Sequence, residues 1–193
     1  TLSTLTIPVS NTLSSSLTGT INVSNSSVYV TGTGTSFTSN FANNGWIQII
    51  SGATTDIRQI KTVSNNTYMV LRSYPSFTNS ASTFKKSSPF ISNTLVKMPS
   101  ASSNVAVGNV FSYEANSTYF TYYLNNVYGS FKDANTVEGY INSSTTNTYS
   151  LFTAINTIVI ANTENDVPHH STMTGISSGS SANVSYVTVR YEK

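Results

Sequence analysis

Residues 19–84 constrain the fold of this chain more than any other part of its sequence. Apolar and polar residues alternate there over short runs, and Gly, Asn and Ser separate one run from the next. The runs cover residues 21–23, 28–30, 46–50, 57–63 and 68–71. An alternation with a period of two predicts β-strands, and the separating residues favour tight turns. We therefore expect this segment to fold as a series of β-hairpins.

The composition extends this expectation to the whole chain. Only 8% of the 193 residues are charged, whereas about 25% is usual in soluble domains. Hydrophobic residues make up 38%, which is too many for a disordered chain. Thr, Val, Ile, Tyr and Phe favour strands, while Asn, Ser and Gly favour turns. The predicted fold class is all-β, with a small β-barrel or sandwich module followed by a second β-rich region.

The pattern of charged and apolar residues argues against two classes of partner. The net charge is +2, and the nine basic residues are scattered apart from the pair Lys85 and Lys86. Binding a run of phosphates needs a denser set of cations, so we expect no nucleic-acid partner. No apolar run approaches the roughly 20 residues that span a bilayer, so we expect no membrane partner. The chain has no cysteine, which excludes disulfides and thiolate metal sites.

Residues 1–17 differ from the hairpin series that follows. Their apolar positions, Leu5 and Ile7 among them, alternate only partly and surround Pro8. Proline cannot donate a hydrogen bond to a sheet ladder, so we expect an extended arm or an edge strand rather than a central strand. Such an arm would dock on another surface through its apolar residues. A loose terminus is the alternative that this pattern leaves open.

The composition changes at residues 85–89, where two lysines, two serines and a proline follow one another. Such a run is typical of a boundary between structural regions. We therefore expect a β module over residues 18–88 and a second β-rich domain over residues 89–193.

Large apolar side chains are expected to form the core of the module. Phe37 follows a turn with two glycines, and Ile49 lies in an alternating strand. Trp46, the only tryptophan, begins that strand. A tryptophan could stack on a sugar or a base, but large aromatic residues are usually buried. We therefore predict that Phe37, Trp46 and Ile49 hold the module together.

The order of these motifs resembles a known family. Residues 31–37 read TGTGTSF, residues 44–50 read NGWIQII, and two further strands follow at 56–63 and 67–75. This order is similar to that of a β module found in structural proteins of tailed-bacteriophage virions. The resemblance covers about a third of the chain and includes no catalytic signature.

The resemblance implies a structural component of a tailed-phage particle, in its tail, baseplate, neck or fibre network, that acts by packing against other subunits. It implies a location in the virion, other virion structural proteins as partners, and a homo-oligomer, for which a trimer is one form. Leu5 and Ile7 are then the arm residues expected to reach a neighbouring subunit. A head decoration or cement protein is one alternative function, and a carbohydrate-binding or receptor-binding module is another.

Tyrosines crowd one window of the second region. Tyr119, Tyr122 and Tyr123 lie in a run that reads TYFTYY. Tyrosine is a good recognition residue because its ring is rigid and its hydroxyl makes adaptable hydrogen bonds. Alternate rings could equally fill a β core. We expect both outcomes within this window, and we name these three as candidate interface residues.

The segment that reads ENDVPHH, residues 164–170, is the one cluster that suggests metal chemistry. It places His169 and His170 near two carboxylates, which are ligand types for a divalent metal. Adjacent residues on a strand point to opposite faces, so the two imidazoles are weak candidates and a polar loop is favoured. A threefold axis could still gather one histidine from each of three chains.

Nothing else in the sequence points to catalysis or to a cofactor. There is no Gly-x-Ser-x-Gly nucleophile motif, and none of the seven carboxylates lies in a recognisable catalytic pattern. A glycan hydrolase would need a carboxylate pair that includes a residue such as Glu138 or Glu164. We expect no enzyme activity and no cofactor.

Overall fold

The computed structural model describes residues 2–98, 106–132, 135–141, 144–150, 153–157, 172–174 and 181–183. The chain divides into two compact units, Thr1–Ile158 and Val159–Lys193. The molecule is nearly all β, with 65% strand and 6% helix, and contains a closed six-stranded barrel and a curled half-barrel sheet. The predicted fold class is therefore confirmed.

The first half of the larger unit contains eight strands and two short helical turns. A four-residue 3₁₀ turn, Val9–Thr12, follows the first strand, and a single helical turn α1, Phe37–Asn40, follows the fourth. The strands are β1 (Leu2–Pro8), β2 (Leu13–Ser16), β3 (Thr20–Ser24), β4 (Ser27–Thr33), β5 (Trp46–Ser51), β6 (Thr54–Asn65), β7 (Tyr68–Leu71) and β8 (Asn79–Ser87).

Six of these strands form the barrel, in the order β8, β3, β4, β7, β6 and β5. The barrel closes because β8 pairs with β3 through its first half and with β5 through its second half. Ala81 stands where the pairing changes, with a positive φ of 81°, and its N–H donates to Asn22 Oδ1 at 3.1 Å. Strand β2 pairs with the second half of β8 and continues the sheet beyond the barrel.

The barrel core is aromatic and aliphatic. Phe37 packs edge-on against Phe84 with ring centroids 5.8 Å apart, and against Phe41 at 6.2 Å. Gly32 leaves room for this packing, since a Cβ there would lie 2.8 Å from the Phe37 ring. The buried residues of the cluster are Ile21, Val23, Val30, Phe37, Phe41, Ile47, Ile49, Ile60, Met69, Leu71 and Phe84. Thus the first glycine of the TGTGTSF motif, Gly32, lies beside a ring of the barrel core.

The second sheet contains seven strands in the order β13, β12, β9, β10, β11, β1 and β14. Its remaining strands are β9 (Leu95–Met98), β10 (Ala106–Ala115), β11 (Tyr119–Tyr128), β12 (Thr136–Ile141), β13 (Ser144–Ser150) and β14 (Thr153–Thr157). All neighbouring strands in this sheet are antiparallel. It forms the curled half-barrel.

Strand β1 differs from the predicted arm or edge strand, because it pairs with β11 on one side and with β14 on the other. Leu5 and Ile7 point into the core of this sheet and are fully buried. Pro8 is tolerated because it is the last residue of the strand, opposite Tyr119. Proline lacks an N–H group, but at the end of the strand this removes no hydrogen bond from the middle of the ladder.

The core of the second sheet also receives side chains from the outside of the barrel. Trp46 and Ile57 pack against this cluster rather than inside the barrel. The Trp46 ring meets Phe120 edge-on at 5.3 Å, and its Nε1–H donates to Tyr113 Oη at 3.3 Å. Phe37 and Ile49 therefore lie in the barrel core as predicted, whereas Trp46 joins the barrel to its neighbouring sheet.

In the smaller unit the structure describes one antiparallel strand pair. Strand β15 (Thr172–Thr174) pairs with β16 (Ser181–Asn183) in a register that sets Thr172 opposite Asn183. Residues 184–193 lie outside the described residues. None of the helices in the described part of the chain is long and apolar enough to cross a membrane.

Candidate interaction surfaces

Three of the five residues predicted at an interface lie in the core. Leu5, Ile7 and Tyr122 are fully buried. Tyr122 Oη accepts a hydrogen bond from the Phe90 backbone N–H at 3.2 Å, and burial raises the Tyr122 pKa well above its ordinary value. In this fold their side chains are covered by their own chain and present nothing to a partner.

The other two predicted interface residues point to the opposite side of the same sheet. Tyr119 and Tyr123 alternate with buried neighbours on β11 and are partly exposed. Tyr123 Oη donates to Glu114 Oε1 at 2.6 Å, and this bond raises the Tyr123 pKa. The tyrosine-rich window thus divides between core and surface by strand alternation.

We call the solvent side of β9, β10, β11 and β12 the outer face. It carries aromatic and charged side chains: Lys97, Phe111, Glu114, Tyr123, Tyr128, Glu138 and Tyr140. Phe111 is 65% exposed and Tyr128 is 78% exposed. Phe111 occupies a β-bulge, since Val110 pairs with Leu124 and Ser112 with Tyr123. A bulge residue lies outside the regular alternation, and here it places a phenylalanine ring in solvent.

Polar contacts order one end of the outer face. Lys97 pairs with Glu138 across the ladder, and Lys97 Nζ lies 4.6 Å from the centre of the Tyr140 ring. Tyr140 Oη donates to the Glu138 carboxylate. Both glutamates of this face therefore accept a hydrogen bond from a tyrosine, Glu114 from Tyr123 and Glu138 from Tyr140. Such bonds hold each carboxylate in a fixed orientation.

Three basic residues, Arg58, Arg72 and Lys86, lie on or beside strands β5 and β6 of the barrel. Ile47 pairs with Arg58 on one side and with Lys86 on the other, which sets both residues on the side of the sheet that Ile47 turns to the barrel core. The backbone N–H of Arg72 donates to the backbone carbonyl oxygen of Gln59, so Arg72 lies beside this part of β6.

The loop after β7 is attached to β6 by a buried carboxylate and its neighbour. Asp56 is 4% exposed and accepts from the Ser76 N–H at 2.7 Å. Its other oxygen lies 3.0 Å from Arg58 Nη1, and Arg58 Nε donates to Tyr74 O at 2.8 Å. Asp56 and Arg58 thus hold the loop in place. The loop carries Tyr74, which is 58% exposed.

Charge is distributed unequally along the chain. Residues 1–98 contain six basic residues and one acidic residue, Asp56. Residues 99–193 contain three basic and six acidic residues. The small net charge of +2 therefore conceals a basic first half and an acidic second half.

Metal-ligating side chains do not gather in the part of the chain that the structure describes, which contains no group of three or more His, Cys, Asp or Glu. His169 and His170 lie outside the described residues, as does Glu164. Glu138 is partly buried on the outer face, where Tyr140 is its hydrogen-bond donor.

Sequence reasoning missed the exposed Phe111 and Tyr128 and the unequal distribution of charge between the two halves of the chain. The charge asymmetry could have been found by counting each half of the chain separately, but the bulge that exposes Phe111 has no simple sequence signal.

No protein-family model, no curated protein and no solved structure matches this chain. Its function therefore has to be argued from its own residues.

Proposed function

We propose that this chain is a structural component of a tailed-phage particle, in the tail, baseplate, neck or fibre network, and that it acts by packing against other subunits. The observation that carries this proposal is the motif order of residues 31–75, which resembles a phage module and supplies the end of β4 and all of β5, β6 and β7 to the closed barrel. Its partners are other virion structural proteins, and its location is the virion.

The exposed aromatic residues support a packing role. Phe111, Tyr128 and Tyr74 are more than half exposed in the isolated chain. Tyrosine and phenylalanine are enriched where protein surfaces meet, because they bury a large area at a small cost in conformational entropy. A subunit that works by packing needs such residues outside its own core, and it needs no catalytic group or cofactor.

The outer face also favours a second candidate function, the recognition of a carbohydrate or a host receptor. Exposed rings beside fixed carboxylates are the groups that bind sugars, because rings stack on sugar faces and carboxylates accept from hydroxyls. A glycan array tests this function directly. Binding that is lost in Phe111→Ala and kept in Tyr29→Ala, an exposed barrel tyrosine, would favour it. A head decoration or cement protein remains the third candidate.

Particle composition tests the main proposal. Phage particles released by cells that encode this chain are purified on a density gradient and analysed by quantitative mass spectrometry. We expect the chain to remain with the particles in a fixed ratio to the other structural proteins. Gold-labelled antibodies then distinguish a tail position from a head position. A chain found only in the soluble lysate would contradict the proposal.

A further inference from the structure

The two end strands of the second sheet are neighbours in sequence. Strand β13 pairs with β12 at one end of the sheet, and β14 pairs with β1 at the other end. Only residues 151 and 152 separate these two strands. Consecutive Cα atoms are about 3.8 Å apart, so the Cα atoms of Ser150 and Thr153 lie within about 11 Å of each other. The two ends of the sheet therefore come close together at this point.

The directions of the strands show how β14 follows β13. Every pairing in the sheet is antiparallel, so the first and the last strand in its order of seven run in the same direction. Parallel strands that lie side by side need a connection of about a dozen residues or more. Since only two residues separate them, β14 begins near the end of β13 and continues in the same direction.

The register of β1 agrees with this path. Thr6 lies opposite Thr153, so the same register continued by three residues sets Val9 opposite Ser150. Cα atoms of β13 do come within 8 Å of the turn Val9–Thr12, which follows β1. Strand β13 thus pairs with β12 on one side while it lies near the continuation of β1.

Hydrogen bonds fasten β13 at this position. Tyr149 Oη donates to Ser88 O, and the Tyr149 ring lies 5.0 Å from the Phe90 ring. The Ser88 N–H donates in turn to Thr12 O at 2.9 Å. Ser88 therefore connects β13 to the turn that follows β1.

The barrel joins its own ends in a comparable way. Strand β8 pairs with β3 through its first half and with β5 through its second half. In the second sheet, β13 pairs with β12, and β14, which follows it, pairs with β1. In both sheets a stretch of chain that changes partners connects one end to the other.

The composition of β13 and β14 suits sheet ends that meet. Exposed edge strands are commonly protected from unwanted pairing by charged residues or proline. Strand β13 reads STTNTYS and β14 reads TAINT, so neither contains a charged residue or a proline. Such strands need no protection where the closure of the sheet covers their edges.

We infer that β13 and β14 act as one closing strand, which latches the two ends of the second sheet together and opens the sheet when it is released. This inference goes beyond the proposed function and does not rest on it. Opening at the latch separates β12 from β1 and uncovers the core between them, which includes Phe120, Tyr122 and Leu124. The closing strand is thus a conformational device built into the sheet.

Cross-linking tests whether the ends meet. The chain has no cysteine, so a pair of introduced cysteines reacts alone with a short bifunctional thiol reagent. Ser10 follows β1 and Thr148 lies on β13, and both are exposed. We expect S10C/T148C to form the intramolecular link, which mass spectrometry of the peptides detects.

The matched control pair is S10C/N126C. Ser3 lies opposite Leu124, so the exposed Asn126 lies near the other end of β1 from Ser10. We expect the control to cross-link at least tenfold more slowly. Equal rates in the two pairs, or no link in S10C/T148C, would overturn the inference.

An insertion tests whether the two strands act as one. Two glycines placed between residues 151 and 152 shift the pairing of β14 against that of β13 if both belong to one closing strand. We therefore expect the midpoint of urea unfolding to fall. The same insertion after Gly52, in the turn between β5 and β6, is the control and should change it little, because lengthening a loop costs little. An equally small change in both variants would show that β13 and β14 are separate end strands.

Hydrogen exchange tests the latch itself. The cross-linked S10C/T148C chain is compared with the same chain before cross-linking. If the sheet opens where its ends meet, the link slows exchange in peptides of β12 and β14 and leaves β3 and β4 of the barrel unchanged. Unchanged exchange in β12 and β14 would show that the sheet opens elsewhere, and the latch would then be wrong.

Discussion

Tyr122 and Tyr123 show how one step along a strand changes the role of a side chain. Tyr122 is fully buried, and its hydroxyl accepts the N–H of Phe90, which is itself buried. Tyr123 points to the opposite face and donates to the exposed Glu114. The same residue type therefore completes the core at one position and orders the outer face at the next.

This difference predicts unequal effects of removing the two hydroxyl groups. Tyr122→Phe leaves the buried Phe90 N–H without its acceptor, which should lower the free energy of unfolding by about 1–3 kcal/mol. Tyr123→Phe is the matched control and should change it by about 0.5 kcal/mol or less. Urea unfolding followed by Trp46 fluorescence measures both. Equal losses would mean that the Phe90 hydrogen bond adds nothing to stability.

Tyr149 predicts how stability changes at alkaline pH. Burial raises its pKa from 10.0 to about 12, and its hydroxyl donates to Ser88 O. The folded state therefore holds this proton more tightly than the unfolded state does. Its contribution to stability is complete below pH 10 and is lost as the pH rises toward 12.

We expect the free energy of unfolding to fall across that range, and to fall less steeply in Tyr149→Phe. Chemical denaturation at several pH values measures this slope, and tyrosinate absorbance reports which rings ionise. Tyr122 contributes in the same direction, because its pKa is also raised. An unchanged slope in the variant would assign the pH dependence to other groups.

At the scale of elements, strand β8 determines whether the barrel closes. It leaves β3 and joins β5 near Ala81, whose φ of 81° lies in the left-handed region that alanine rarely adopts. A left-handed alanine costs about 1–2 kcal/mol. The hydrogen bond from its N–H to Asn22 Oδ1 holds this conformation. The free energy gained when the barrel closes thus offsets the backbone strain at Ala81.

Ala81→Gly should therefore stabilise the chain. Glycine adopts this φ without strain but is more flexible when unfolded, so we expect a net gain of about 0.5–1 kcal/mol in the free energy of unfolding. Ala53→Gly, at an exposed turn residue without a positive φ, is the control and should give no gain. Thermal unfolding compares the two variants. A lower free energy of unfolding in Ala81→Gly would indicate that the alanine methyl group stabilises the fold by more than the backbone strain destabilises it.

At the scale of the whole molecule, the sequence predicted the fold class and much of the barrel. Strand alternation placed Ile49 in the barrel core, and the position after a glycine turn placed Phe37 there, where both lie. The same reasoning did not place Leu5 and Ile7, because local alternation identifies a strand but not its neighbours in a sheet. Phe111 was missed for a related reason, since a bulge depends on the register between two strands.

The position of β1 leads to a last prediction about cooperativity. Ile7 is fully buried between strands that come from distant parts of the sequence, so it helps to hold β11 and β14 on either side of β1. Ile7→Ala should cost about 2–5 kcal/mol, as for other large-to-small changes in a core. Thr4→Ala, on the opposite side of the same strand and partly exposed, should cost about 0.5 kcal/mol or less.

Hydrogen exchange shows where Ile7→Ala acts. We expect peptides of β11 to lose protection, while peptides of β3 and β4 keep theirs, because Ile7 belongs to the core of the second sheet and not to that of the barrel. Equal loss in both regions would mean that barrel and sheet unfold as one cooperative unit. Loss in neither region, together with normal stability, would show that β1 is not needed by its own sheet, and the segment would again be free to act as an arm.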